Sequence, residues 1–275
     1  MNDIAKIIQK NMSQISSLPP DEKMEVLKLL EEYEQAKQRE EARDSFLPFV
    51  KSQWAAFIHG RHHEIMAEAF ERVARGDLKR LIINMPPRHT KSEFASYLFP
   101  AWFLGRYPNK KIIQTAHTAE LSVGFGRKVR NLIQSEDFQK IFAGVTLSSD
   151  SKAAGRWNTN KGGEYFAIGV GGAVTGKGAD VLEVYDKVYE WYTSGPRQRL
   201  QPGGSIILVM TRWSKRDLTG QILKNYTQRE GSGEWEVIEL PAIMPSGEAL
   251  WPEFWKKEEL DSLKSELPVS KWNAQ

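Results

Sequence analysis

Asn84 to Ser92 (NMPPRHTKS) is the stretch with the most chemistry in this sequence, and it follows the apolar run Leu81-Ile82-Ile83. Such a run reads as a buried strand, and Glu93 to Gly105 reads as a helix, so a tight loop joins them. A helix start presents backbone N–H groups with no partner inside the helix; with the helix dipole, they hold a phosphate. Lys91 adds a point charge suited to the β- and γ-phosphates of a nucleotide, and the Ser92 hydroxyl is of the type that ligates Mg²⁺. Pro86, Pro87, Arg88, His89 and Thr90 would line the cradle, with Arg88 as a second cation. The fit to the usual glycine–lysine–serine loop is imperfect. Met85 and Thr90 stand where the two glycines are usual, and Pro86-Pro87-Arg88 stiffens a turn that is normally flexible. A solvated helix start is the alternative reading of Lys91-Ser92.

Other residues carry weaker signals. His59, His62 and His63 are closely spaced, but no cysteine or carboxylate accompanies them at ligand spacing, which argues against zinc. A place near an adenine pocket suits them better, with Gln53 hydrogen-bonding the base and one of Phe46, Phe49 or Trp54 stacking on it. Core packing of those aromatics is the alternative. His117 follows a strand end, where it could approach a γ-phosphate or simply occupy a surface turn. The glycine-rich stretch from Lys152 to Lys177 is mostly basic and could follow a nucleic-acid backbone without reading sequence. A solvated hairpin is its other reading.

The elements that must position these groups alternate. Strands are expected at Leu81–Met85, Lys111–Ala116, Glu164–Val170, Ser205–Thr211 and Glu236–Leu240. Helices are expected at Glu64–Ala74, Leu121–Ile133, around Tyr185–Ser194 and from Asp217, with a turn at Pro202-Gly203-Gly204. That alternation implies an α/β fold, a mostly parallel sheet with helices on both faces. Residues 1–45 form a charged helical appendage, in which Pro19-Pro20 precedes a helix over Asp21–Asp44 with a thin apolar stripe. Residues 46–250 form the main domain, and 251–275 begin a linker. The 275 residues, 40% hydrophobic, 27% charged and without cysteine, exclude a disordered chain and a disulfide scaffold. No apolar run approaches the roughly twenty residues that cross a bilayer, so the expected setting is soluble and intracellular, with no membrane partner. A net charge of +3 permits a nucleic-acid partner without requiring one.

Leu81 to Ser92 (LIINMPPRHTKS) resembles the Walker A segment of the large terminase subunit of tailed bacteriophages, the motor that packages DNA. Further blocks resemble that family in order: Gly60 to His63, Thr175 to Asp180, Ile207 to Gly220 (ILVMTRWSKRDLTG), Glu239 to Ala242 and Trp251-Pro252. The resemblance implies a P-loop NTPase of the additional-strand, RecA-like kind, with Lys111–Ala116 intervening between the Walker A and Walker B strands. It implies ATP and Mg²⁺ as cofactors and ATP hydrolysis coupled to translocation of double-stranded DNA into a procapsid in the host cytoplasm. Portal protein, a small terminase subunit and a homo-oligomeric ring, often a pentamer, are the implied partners. Lys91 and Arg88 would grip phosphates, Ser92 would hold Mg²⁺, and Thr211 would sense the γ-phosphate. Arg127 and Arg130 are the candidates for an arginine finger reaching a neighbour's ATP. A solvated helix face is the other reading of both.

The sequence departs from the family where a Walker B strand should end in two acids. Asp180-Val181-Leu182 begins such a strand and passes straight into Glu183-Val184-Tyr185-Asp186-Lys187. A segment absent from the sequence as written, a true deletion, or relocation of the acid to Glu183 would each account for this. The first is favoured, because a deletion would cut a buried central strand. Glu183 and Asp186 otherwise read as an acidic helix start. If the chain is as written, poor ATP binding and almost no hydrolysis are expected, leaving a silent nucleotide-binding or assembly module. The family's nuclease domain would begin beyond Trp272, and no nuclease activity is expected of this chain.

Overall fold

A computed structural model describes residues 18–172, 179–184, 189–212, 214–227 and 234–272. Helix α1 (Pro20–Asp44) starts on a proline, which has no N–H to lose there, with Asp21 and Glu22 in the first turn. Met24, Leu29 and Tyr33 along it are more than half exposed. Its last turn is anchored. Ala42 is buried, the Trp102 indole donates to its carbonyl at 3.2 Å, and Arg106 pairs with Asp44 at 2.6 Å. Helices α2 (Phe46–Gln53) and α3 (Arg61–Arg75) follow. Gly76, at φ 86°, ends α3 in the left-handed conformation that glycine adopts without strain.

Strand β1 (Arg80–Asn84) leads into the lysine-bearing loop Met85–Ser92. The helix after the loop passes through a π-helical turn (Glu93–Leu98) into α4 (Phe99–Arg106). Pro100 cannot donate to the preceding turn, and the wider π turn falls at that place. Strand β2 (Lys111–Ala116) and helices α5 (Ala119–Ile133) and α6 (Glu136–Ile141) come next. Then follow β3 (Leu147–Ala153), β4 (Arg156–Thr159), β5 (Glu164–Gly169) and β6 (Ala179–Val184). Helix α7 (Tyr189–Ser194), β7 (Leu200–Met210), α8 (Leu218–Thr227), β8 (Glu236–Glu239), α9 (Lys257–Glu266) and α10 (Val269–Trp272) complete the described chain.

The strands form one sheet in the order β3-β4-β5-β2-β6-β7-β1-β8, parallel from β5 to β8 with β3 and β4 added antiparallel. Its two faces separate along each strand. Leu81, Ile83, Ile207 and Val209 join the large core with α2 to α6, while Ile82, Ile206, Leu208 and Met210 pack with Leu218 and Ile222 of α8 on the other side. Helices thus cover both faces, as the alternation of elements implies.

Three expectations need correction. The strand lying between β1 and β6 is β7, not β2, which lies on the far side of β6. A parallel crossover can skip a neighbour, so chain order does not set spatial order. Pro202-Gly203-Gly204 does not precede its strand but bulges within it. Ala179 of β6 faces Leu200, and Val181 faces Ser205, so the residues between are extra on the β7 side. Glu183 does not start a helix. It lies in β6, in register with Gln114 on one side and Ile207 on the other. Asp186 and the Thr175–Gly178 part of the family-like block lie outside the described residues.

Candidate functional site

The carboxyl ends of β1, β7 and β8 meet at the loop that carries Lys91. Asn84 closes β1, and the Met85 amide donates to the Met210 carbonyl at 3.1 Å. Thr211, just past β7 and buried, donates its hydroxyl to the Met85 carbonyl at 3.0 Å. The expected sensor residue therefore touches the first residue of the loop.

Within the loop, Arg88 and Thr90 have positive φ, 60° and 62°. For a β-branched residue this is an unusual conformation, and Thr90 adopts it at a position where such loops usually carry glycine. What holds it is a hydrogen-bonded chain. The Gly60 amide donates to Nδ1 of His63 at 2.9 Å, which also satisfies an unpaired donor at the start of α3. Burial holds the ring neutral by lowering its pKa to about 2, so the remaining proton sits on Nε2. That nitrogen donates to the Thr90 hydroxyl at 2.7 Å, and the hydroxyl donates to the His89 carbonyl at 2.6 Å. His89 is itself turned inward, with Nδ1 2.8 Å from the Pro87 carbonyl.

Lys91 is 6% exposed, and its Nζ donates to the Pro86 carbonyl at 3.1 Å. Burial lowers its pKa to about 8, because the ammonium has given up most of its water. Ser92 follows at the helix start, and Arg88 is exposed at the loop's outer edge. Lys91, Arg88, Ser92, Thr211 and the rest of Pro86 to Thr90 are thus brought together. The buried Lys91 cation fits a phosphate ligand.

The other candidates lie elsewhere. Gln53 bonds Ser52 at 3.2 Å and lines a groove with Gln35, Gln38, Arg39 and Lys140; none of the groove's lining residues belongs to the loop. Arg127 is exposed on α5, and Arg130 is half-buried beside Asn131. Between them Lys128 pairs with Glu93 at 2.9 Å, which ties α5 to the helix after the loop. His117 is exposed after β2. Of the basic glycine-rich stretch, Arg156 pairs with Glu164 within the β3–β4–β5 edge, and Lys177 lies outside the described residues.

Sequence reasoning missed the loop's supports. His62 and His63 are fully buried, their rings 3.8 Å apart, and Trp251 packs 5.2 Å from each. Trp255 stacks near His89. The segment read as the start of a linker thus packs against the back of the loop. Near the loop, Asn84 bonds Glu239 at 3.3 Å, and Arg212 pairs with Asp217 at 2.9 Å. A threonine in place of a loop glycine was the available signal, since it demands a compensating partner.

The sequence matches no protein-family model and no curated protein. Among solved structures, the chain is similar to the large terminase of bacteriophage HK97, with a TM-score of 0.56 and 10% identity over 79% of this chain and 49% of that one. It is also similar to the large terminase of a thermophilic bacteriophage, with a TM-score of 0.50 and 9% identity over 73% of this chain and 50% of that one. The chain spans about half the length of each. At this identity the likeness is one of backbone architecture, and it agrees with the resemblance carried by LIINMPPRHTKS: this chain has the fold of the bacteriophage large terminases.

Proposed function

We propose that this chain is the ATP-binding module of a DNA-packaging motor, with the triphosphate in the loop Pro86–Ser92 and hydrolysis coupled to translocation of double-stranded DNA. The observation that carries this reading is Lys91, a desolvated cation at a helix start whose ammonium rests on a loop carbonyl. Phosphate oxygens would replace that carbonyl and stabilise the ammonium. Arg88 would add charge from the exposed side, and Ser92 would ligate Mg²⁺, which supplies charge neutralisation at the phosphates. Thr211, bonded to Met85, would transmit changes at the phosphates to β7. Arg127, exposed on α5, is the better placed of the two finger candidates to reach a neighbouring subunit. The ring, portal protein and small terminase subunit belong to the same proposal. The host cytoplasm is the proposed setting; no helix among the described residues is long and apolar enough to cross a membrane.

One observation favours a second reading, a nucleotide-binding module without turnover. Asp180-Val181-Leu182 of β6 passes straight into Glu183-Val184, without the hydrophobic run ending in two acids that the resemblance implies. Titration of a fluorescent ATP analogue with Mg²⁺ present tests both readings. Saturable binding that Lys91→Ala weakens at least tenfold supports nucleotide binding, and identical curves for the two proteins sink it. Binding without DNA-stimulated phosphate release selects the silent module.

A further inference from the structure

At the opposite end of the sheet from the phosphate loop, Lys79, Arg80 and Arg197 line a groove of about 430 Å³ with Leu200, Gln201 and the Pro202–Gly204 bulge. Its position follows from the parallel pairing of β1 and β7. The loop lies at their carboxyl ends and the groove at their amino ends, about 13 Å apart along the five residues of β1. The bulge builds the wall. Gly203, at φ 77°, turns the backbone so that its carbonyl receives Lys79 Nζ at 2.7 Å, and the Gly204 carbonyl receives Arg80 at 3.1 Å. Arg80 also donates to the Lys79 carbonyl at 2.7 Å.

None of the described residues lining this groove carries a carboxylate. Carbonyls orient the cations but do not neutralise them. Arg80 is half-buried, and its pKa is lowered first by that burial and then by the positive charge of Arg197. Gathering like charges in a partly desolvated groove opposes folding, and what the sheet receives in return is limited to bonds to two neutral bulge carbonyls, since the cores on both faces are apolar and contain none of the three cations. An anion would reverse the sign of that arrangement. Guanidinium groups match phosphate oxygens in pairs, and the lysine supplies a point charge beside them.

We infer that this groove binds the backbone phosphates of a nucleic acid. The rest of its lining is backbone, aliphatic and one glutamine, which offers little to read a base and suits contact without sequence preference. The inference rests on the groove's charge and not on nucleotide binding at the loop.

The test measures binding of a mixed-sequence DNA duplex by fluorescence anisotropy across a salt series. Lys79 and Arg197 are exposed, so Lys79→Gln and Arg197→Gln should fold like the parent, checked by thermal unfolding. Each is expected to weaken binding several-fold and to flatten the slope of log affinity against log salt by about 0.9. Arg80→Lys keeps the charge and should keep the slope. An unchanged slope in the Lys79→Gln/Arg197→Gln double variant overturns the inference, as does a parent protein that binds no DNA. Loss of inorganic phosphate binding with DNA binding intact would assign the groove to a free anion and overturn it too. Lys91→Ala separates the two sites: it should weaken ATP binding and leave the DNA slope unchanged.

Discussion

Thr90 shows how one residue can break a loop rule and be compensated from outside the loop. Its positive φ costs about 1–2 kcal/mol, and the His63 hydrogen bond offsets that cost. Thr90→Gly should therefore lie within about 1 kcal/mol of the parent in urea unfolding and still bind ATP. His63→Ala removes both the support and a buried ring, and should cost about 3 kcal/mol while weakening ATP binding. Burial lowers the pKa of His62 to about 3 and of His63 to about 2, with nearby histidine charges adding to the effect. Unfolded, each takes up a proton near 6.5, so below that pH the unfolded state binds more protons than the folded one. Stability is thus full above pH 6.5 and falls as the pH drops, by up to about 1.4 kcal/mol per unit for each histidine. Denaturation at pH 4.5 and 7.5 checks this, and His62→Leu should flatten the difference. Lys91 behaves differently. With its folded pKa at about 8 against 10.5 unfolded, stability rises with pH between those values, whereas ATP needs the charged form. Calorimetry should show proton uptake on ATP binding at pH 8–9, absent in Lys91→Met.

At the scale of elements, close approaches decide what can be substituted. Gly126 on α5 packs against the β-hairpin edge, where an added Cβ would lie 2.6 Å from the Ala154 carbonyl and 3.0 Å from the Tyr165 ring. Its carbonyl also accepts from the Trp157 indole at 3.1 Å. Gly126→Ala should cost about 1–3 kcal/mol, read as a lowered unfolding midpoint. Gly60 is similar, with a Cβ placed 2.7 Å from Trp251. It lets the segment after β8 sit against the histidines. Arg72 ties α3 to β8 through two 2.8 Å bonds to Glu236. Because both side chains are about one-third exposed, Glu236→Gln should cost only about 1 kcal/mol.

The described chain forms a two-faced sheet with its candidate sites at opposite strand ends: the lysine-bearing loop at the carboxyl ends and a basic groove at the amino ends. The parts outside the sheet are not equivalent. Helix α1 leaves Met24, Leu29 and Tyr33 in solvent, so replacing all three with serine should hardly move the unfolding midpoint. Trp251 is 4% exposed behind the loop, and Trp251→Ala should cost about 3–5 kcal/mol and speed hydrogen exchange in Pro86–Ser92. Equal effects of the two changes would contradict this division.

Local pattern was enough for β1, β2, β5, β7 and β8, for α3, α5 and α8, and for the lysine-bearing loop, because each shows its own periodicity or turn chemistry within a few residues, whereas β6 was legible only through the family resemblance. Strands β3 and β4 are mostly polar, and they take their conformation from antiparallel pairing, β3 with β4 and β4 with β5, rather than from their own composition. The order of β7 between β1 and β6, the seating of Trp251 on His62, and the His63–Thr90 bond join residues far apart in the chain. Nothing within a window of sequence encodes them. The sequence determined by itself which residues could hold a phosphate; the tertiary structure decided how a threonine could stand in the place of a glycine, because only folding brings a buried neutral histidine to its hydroxyl.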